Sequence, residues 1–530
     1  MRTMTVAAVL LVIFGSALGY YLYRNLRPYY LHLELKSIPE EVPATGGILS
    51  LVSREKKQSF SRFLYGLASL EKDRRLRGIY LDLTLYRMGL SQSWELRQII
   101  ERLRQSGKKV LCYAHSYRES AYFLATACDR IYMAPGGVLE IPGVMTQNLY
   151  FRELFDTLDI VPQFVHREEY KSAVEPFTRR EPSQYDRQQR ERLLEIYYDQ
   201  ITRSIQSRNI SKPESLINEY GFLYGREALE TGLVDSLVYP DEMEDILRDE
   251  FGRAAKRRTV PSRRGSILPF RKVAVVVADG PIVEEDTHNP LEGTTTIGTG
   301  LASTLRRLRK DKRVSAVVIR VNSPGGSALT SDIIAHEIRK LAQEKPVIVS
   351  MGFVAASGGY YISAYGSKIF LTPLTITGSI GVLFGKLAME DFFRRKLHIN
   401  PYIMKKGELA DAFSLRPVDD RGMERFNRLI DEIYGDFLRV VSEGRGLPLD
   451  SVRKIAKGRI WVGEDAIRAG IVDTIGSVVD AIEYAREKVG GGSVVFVKRK
   501  YRVNFDWLSL LSFARTGFYM VDFRFLFGNW

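Results

Sequence analysis

Two small-residue turns and one lysine hold the residue types that could do chemistry in this sequence. Ala355-Ala356-Ser357-Gly358-Gly359 sits between two apolar stretches. A serine flanked only by small residues lets a substrate backbone come close. A helix opening behind it favours developing negative charge. Such a serine is either a nucleophile or a helix N-cap, and the pattern alone suits both. Upstream, Asn322-Ser323-Pro324-Gly325-Gly326 joins a β-branched run to a helical pattern. Proline lacks an N–H and glycine admits positive φ, so the turn exposes backbone N–H groups where an oxyanion could be held. Strand-to-helix turns with glycine are common, so by itself this one decides nothing. A nucleophilic serine also needs a base. His32, His115, His166, His288, His336 and His398 sit in no comparable turn and at no metal-ligand spacing. The stretch Tyr170-Lys171-Ser172-Ala173-Val174-Glu175-Pro176-Phe177 offers a lysine. An exposed lysine titrates near 10.4, too high for a base at neutral pH. Burial can bring it down by about 3 units, at a cost of roughly 4 kcal/mol.

The elements that position these residues are written twice. Tyr224-Gly225-Arg226-Glu227-Ala228, with Gly232 to Asp235, recurs as Val462-Gly463-Glu464-Asp465-Ala466, with Gly470 to Asp473; the offset is 473 − 235 = 238. At the same offset Tyr122 to Pro135 recurs as Tyr360 to Pro373, Gly143-Val144 as Gly381-Val382, and Asp73 as Asp311. One constant offset across this length indicates two homologous units, 28–252 and 266–490. Residues 253–265 read as a basic linker and 491–530 as an aromatic-rich tail. In the second unit Val273–Val277, Ala316–Val321 and Val347–Ser350 read as buried strands. Leu301, Leu305 and Leu308 mark a helix face, Ser331–Ala342 reads as a helix, and Ser357-Gly358-Gly359 opens an apolar helix over Tyr360–Tyr365. Strands alternating with helices give an α/β fold with a substantially parallel sheet.

The two copies differ where the chemistry lies. The counterpart of Ser357 is Glu119, that of Gly325-Gly326 is Arg87-Met88, and that of Lys171 is Leu409. Were the small-residue turns only structural, both copies should need them. The second unit therefore carries the nucleophile, and Ser120, one position off, is incidental.

The remaining composition sets the class. The chain has 530 residues, 45% hydrophobic and 26% charged, with a formal charge of +14. This is ordinary globular composition for two to four domains. The basic balance favours anionic partners. No zinc-finger spacing, Walker motif or RNA-binding signature is present, so membrane proximity accounts for the charge and no nucleic-acid partner is expected. The denser basic runs are Arg253–Arg264 and Lys498–Arg502. Cys112 and Cys128 sit in apolar sequence and read as small buried residues. Residues 4–23 carry no charge, are long enough to span a bilayer, and end in Tyr20, Tyr21 and Tyr23. Residues 1–27 are expected to form an uncleaved membrane anchor. Ala17-Leu18-Gly19 supports the competing reading of a cleaved signal peptide. Arg2 precedes the segment and Arg24 and Arg27 follow it, so flanking charge does not fix its orientation.

With YKSAVEPF at 170–177, VNSPGGS at 321–327, ASGGYY at 356–361 and TGSIGV at 377–382, the chain resembles the bacterial signal peptide peptidase A family in its long, two-repeat form. The resemblance covers nearly the whole chain except Tyr501–Trp530. It implies two tandem crotonase/Clp-protease-like α/β repeats after an N-terminal transmembrane helix. The implied nucleophile is Ser357 and the implied general base Lys171, in the other repeat, with Lys405 and Lys406 as runners-up. Ser379 would orient the lysine, and Gly325, Gly326 and Gly358 would form the oxyanion hole. No metal and no cofactor is implied. The implied substrates are peptides, namely cleaved signal sequences. The implied assembly is a homotetramer at the cytoplasmic membrane, single-pass, with its soluble body on the extracytoplasmic side. Two alternatives compete: a crotonase-type acyl-CoA enzyme, and a non-catalytic membrane scaffold.

Overall fold

Runs such as Val273-Ala274-Val275-Val276-Val277 have no polar face, so they are stable only where a sheet is covered on both sides. The computed structural model describes residues 28–35, 41–42, 58–252, 256–258, 271–289 and 294–503. The expected membrane segment, residues 4–23, lies outside the described residues. Among those described, no helix is long and apolar enough to cross a membrane.

The principal elements of the first repeat are β1 (Tyr29–Glu34), α1 (Phe60–Ala68), β2 (Leu76–Asp82), α2 (Leu90–Gln105), β3 (Lys109–Ala114), α3 (Glu119–Ala125), β4 (Arg130–Met133), β5 (Val138–Glu140), β6 (Val161–His166), α4 (Gln184–Gln206), β7 (Phe222–Tyr224), β8 (Ser236–Leu237) and β9 (Lys256–Arg258). Six of these strands form a sheet in the order β8-β4-β3-β2-β1-β9, parallel throughout. The second repeat contains β10 (Lys272–Asp279), β11 (Thr287–Asn289), β12 (Thr294–Thr295), α5 (Gly300–Lys310), β13 (Val314–Ser323), α6 (Ala328–Glu344), β14 (Val347–Ala356), α7 (Gly358–Ser363), β15 (Lys368–Leu371), β16 (Ile376–Gly378), β17 (Leu383–Ala388), α8 (Asp420–Arg445), β18 (Ile460–Val462), β19 (Thr474–Ile475), α9 (Val478–Lys488), β20 (Ser493–Phe496) and β21 (Arg502–Val503). Its main sheet runs β18-β16-β14-β13-β10-β20, with β15 on β14 and β19 on β15; only β16 and β18 pair antiparallel.

The sequence repeat is a structural repeat. β2 starts at Leu76 and β13 at Val314, and 314 − 76 = 238. The same step carries the starts of α2, β3, β4, β5 and β7 onto those of α6, β14, β15, β16 and β18. Three expectations change. The 253–265 stretch, read as a linker, contributes β9, which extends the first sheet beside β1. Part of the expected tail is sheet as well: β20 pairs with β10, and β21 with β11. Within the basic run 498–502, Arg499 is buried, bonded to the Val277 carbonyl at 3.0 Å and paired with Asp286, so that charge faces inward. Finally, β14 extends past Ser350 to Ala356, because strands on both sides hold it.

The two repeats share a core. Val478, Val479, Ile482 and Ala485 of α9, with Val273, Val318 and Ile348, pack against Leu64, Leu96, Ile99 and Leu103 of the first repeat. Each such buried aliphatic contributes about 1.5–3 kcal/mol. Inside this shared face Arg320 of β13 is fully buried and pairs with Glu95 of α2 and with Glu41. Cys112 and Cys128 are buried and unbridged, as their apolar context implied.

Candidate active site

Ser357 closes β14 and opens α7. Its N–H donates to the Gly378 carbonyl at 2.9 Å, and its own carbonyl accepts from Tyr361 N–H at 2.9 Å. The backbone is held at φ 53°, ψ −121°, a conformation a side-chain-bearing residue keeps only where its surroundings enforce it. The hydroxyl makes no cap hydrogen bond to α7. The N-cap reading of this serine therefore fails, and Oγ is free for other contacts.

The Asn322–Gly326 turn at the end of β13 lies against the start of α7. Gly325 and Gly326 have φ 100° and 143°, in the left-handed half of backbone space. The approach leaves no room for side chains: a Cβ on Gly325 would lie 2.6 Å from Gly358 N, and one on Gly326 would lie 2.1 Å from the Ile282 carbonyl oxygen. The Gly325 N–H donates within its own turn, to Ser323 Oγ at 3.2 Å. That distinguishes Gly325 from Gly326 and Gly358, whose N–H groups meet no backbone acceptor among the described residues. Gly325 supplies shape; the other two supply free donors beside Ser357.

Lys171 reaches this place on an arm of the first repeat. β6 pairs antiparallel with β17, His166 opposite Leu383, and Arg167 N–H extends the ladder to the Val382 carbonyl at 2.9 Å. Tyr170 N–H then donates to the Lys457 carbonyl at 3.1 Å. Gly458 lets the lysine backbone come close, since a Cβ there would lie 2.7 Å from Lys171 N. A short helical turn over Ser172–Val174 follows. Ser172 Oγ donates to Asp186 at 2.6 Å. Gln189 Nε2 donates to Ser172 Oγ at 2.7 Å and to the Tyr170 carbonyl at 3.3 Å, while its Oε1 accepts from Ile460 N–H at 3.3 Å. Ser172, Asp186 and Gln189 were not singled out from sequence. Their only trace there is a polar pair three residues apart that turns out to lie on an inward face of α4.

Lys171 Nζ lies 3.1 Å from Ser357 Oγ, 2.9 Å from Ser379 Oγ and 3.0 Å from the Ser379 carbonyl oxygen. Ser379 follows β16, the parallel neighbour of β14, in which Ala356 faces Gly378. The lysine side chain is 3% exposed, and burial alone brings its pKa from the ordinary 10.5 down to about 7. Near neutrality a large fraction is a free amine. A neutral amine has two N–H donors and one lone pair. The Ser379 oxygens take the donors, and the lone pair is left for the Ser357 hydroxyl.

The first repeat has no such gathering at its equivalent positions. Glu119 stands at the serine position, where burial raises its carboxyl to about 7. Met88 is a core residue and Leu409 is solvent-exposed. Lys405 is exposed and paired with Asp411, and Lys406 is exposed, so neither runner-up lysine reaches Ser357. Among the described residues no group of three His, Cys, Asp or Glu is placed to hold a metal ion.

Residues 102–252 and 339–491, one stretch in each repeat, match the family model described as peptidase family S49. The chain belongs to peptidase family S49. Protease 4 of Haemophilus influenzae is 33% identical over 457 residues, covering 82% of this chain and 74% of that protein. Protease 4 of Salmonella typhi is 29% identical over 491 residues, covering 86% and 78%. The chloroplastic serine protease SPPA of Arabidopsis thaliana is 28% identical over 469 residues, covering 84% and 69%. A solved mutant of ClpP1 from Listeria monocytogenes is similar at 18% identity and a TM-score of 0.26, covering 39% of this chain and 94% of that one. This S49 chain is a serine peptidase. Family membership decides against both the acyl-CoA enzyme and the non-catalytic scaffold.

Proposed function

We propose that this peptidase cuts peptides with a Ser357–Lys171 pair. The observation that carries the reading is the buried Lys171 amine, held between Ser357 Oγ and the two oxygens of Ser379. Neutral Lys171 takes the Ser357 proton as Oγ attacks the scissile carbonyl. Gly326 and Gly358 N–H groups stabilise the oxyanion, and Ser379 holds Nζ on line. The lysine proton passes to the leaving amine. Water then attacks the acyl-enzyme, with Lys171 again as base. The substrates are remnant signal peptides; a putative signal peptide peptidase SppA of Enterococcus faecium is 33% identical over 223 residues, covering 41% of this chain and 64% of that protein. Residues 4–23 anchor the protein in the cytoplasmic membrane, with the body outside the cytoplasm and assembled as a homotetramer.

The test is turnover of a fluorogenic peptide by Ser357→Ala, Lys171→Ala and the double variant. All three should be equally inactive, because the groups act as one unit. Retained turnover by either single variant removes that residue from the mechanism.

A further inference from the structure

The strand that carries Ser357 is not regular. β13 and β14 pair in step from Val317 opposite Val347 to Val321 opposite Met351, and the next pair is Ser323 opposite Ala355. Three residues, Gly352, Phe353 and Val354, thus face the single residue Asn322. A bulge of this kind re-aims the strand end beyond it and leaves backbone groups without ladder partners. Side chains take up those groups. Asn322 Oδ1 accepts from Val354 N–H at 3.2 Å, and Thr375 Oγ1 donates to the Gly352 carbonyl at 2.7 Å. The fit is tight, since a Cβ on Gly352 would meet the Asn322 side chain at 3.0 Å. Asn322 is oriented in turn. Its Nδ2 donates to Asp279 Oδ1 at 2.7 Å, and Thr295 Oγ1 donates to Asp279 Oδ2 at 3.2 Å. In the first repeat β2 and β3 pair without a register break from Gly78 to Asp82. That ladder ends at Asp82, short of Thr84, the counterpart of Asn322, so the first repeat has no ladder pair at the place of the bulge.

We infer that Asn322, oriented by Asp279, is a positioning residue for the peptidase: its amide fills the β14 bulge and sets where Ser357 stands relative to the Gly326 and Gly358 N–H groups. The inference rests on the role proposed above for Ser357. The same stretch of chain fixes the oxyanion turn from the other side. Gly280 N–H donates to the Asn322 carbonyl at 2.9 Å, Ile282 N–H to the Gly325 carbonyl at 2.8 Å, and Ser327 N–H to the Ile282 carbonyl at 2.8 Å. Both halves of the site are thus tied to residues 279–282, the nucleophile strand through the Asn322 amide and the donor turn through backbone bonds to Gly280 and Ile282. A misplacement on the order of 1 Å costs about a hundredfold in rate.

The experiment compares Asn322→Ala, Asn322→Asp and the swap Asn322→Asp/Asp279→Asn in the full chain. It reads kcat and KM on a fluorogenic peptide, the rate of fluorophosphonate labelling of Ser357, and circular dichroism. Asn322→Ala should fold, keep KM within about twofold, and lose about a hundredfold in kcat and in labelling rate. Asn322→Asp sets two carboxylates together that hold their places only while they share a proton. Its activity should fall as pH rises through loss of that proton, opposite to the wild type. The swap restores a donor to the pair with reversed polarity and should recover at least tenfold at alkaline pH. Arg320, Glu41 and Tyr501 also face Asp279 and are unchanged in every variant. A folded Asn322→Ala variant with kcat and labelling within threefold of wild type overturns the inference. So does a swap that fails to recover activity, and this pair decides the matter if the alanine variant does not fold. Activity remaining in Ser357→Ala would instead count against the proposed nucleophile.

Discussion

Replacing Lys171 by methionine separates the base from the space it fills. Methionine is close in shape, cannot titrate, and suits an apolar pocket. The folded protein holds the lysine at about 7, against 10.5 for the ordinary side chain, because burial penalises the ammonium form. The unfolded chain therefore binds more protons than the folded one between those values. Stability should rise with pH across that window, and the full penalty should stand below pH 7. At about 1.4 kcal/mol per unit, the wild type carries a penalty of roughly 4 kcal/mol at pH 7 and roughly 1 kcal/mol at pH 9.5. Methionine removes both. It also leaves the Ser379 oxygens without their donor, at about 1–3 kcal/mol each, but that cost does not depend on pH in this range. The quantity to measure is thus a difference of differences: urea unfolding of wild type and Lys171→Met at both pH values. From pH 7 to 9.5 the wild type should gain about 3 kcal/mol relative to the variant. A gain under about 1 kcal/mol would mean that Lys171 keeps its proton in the fold, and the base would have to be found elsewhere. Wild-type peptide turnover should rise with pH through about 7 by the same logic, and Lys171→Met should show none at any pH.

Two further perturbations probe the surroundings. Gly458→Ala puts a Cβ 2.7 Å from the Lys171 backbone at a position with φ 69°, so kcat should fall at least tenfold and the melting temperature should drop. Lys405→Ala, Lys406→Ala and Ser120→Ala should each keep turnover of the fluorogenic peptide within about twofold of wild type, because the lysines are solvent-exposed and Ser120 belongs to the repeat without the nucleophile.

What could be read in the sequence was local, or local and repeated. Small-residue turns after β-branched runs marked Ser357 and the Asn322–Gly326 turn, and the 238-residue offset told a shared framework from a turn kept in one copy only. The structure brings Ser357, Lys171, Ser379, Gly326 and Gly358 into one place. What escaped notice depends on pairing between distant segments. The bulge opposite Asn322 exists only relative to β13, and no periodicity within β14 announces it. The β6–β17 ladder joins two stretches whose 238-residue counterparts are not strands, so the internal repeat carries no sign of it. β9 and β20 lay in segments read as linker and tail, because a three- or four-residue edge strand is too short to show a pattern. Gly325 shared its motif with Gly326, and only the hydrogen bond to Ser323 tells their N–H groups apart.

The division of the site between the repeats puts a demand on the junction. The 3.1 Å contact between Lys171 and Ser357 joins residues whose elements belong to different sheets, so a small slip of one repeat against the other would break it. An apolar interface alone tolerates such slips, because burial has no direction. The junction contains a group that does have direction. Arg320 donates to Ser350 Oγ at 3.0 Å and to the Met351 carbonyl at 3.1 Å within its own sheet, and to Glu95 and Glu41 across the junction. Glu95 also accepts from Val478 N–H at 2.9 Å, at the start of α9. A buried ion pair of this kind adds little net stability, since desolvation offsets its attraction, but breaking it leaves a charge unpaired. Sliding the repeats is therefore costly in a way that apolar packing could not make it. Arg320 lies two residues before Asn322 on β13, so the strand that fixes the repeats against each other is the one that ends in the oxyanion turn. With the second repeat held in that register, the lysine can be supplied from the first, and the first no longer needs a serine of its own. Glu119, standing where that serine would be, is what such a released position can become.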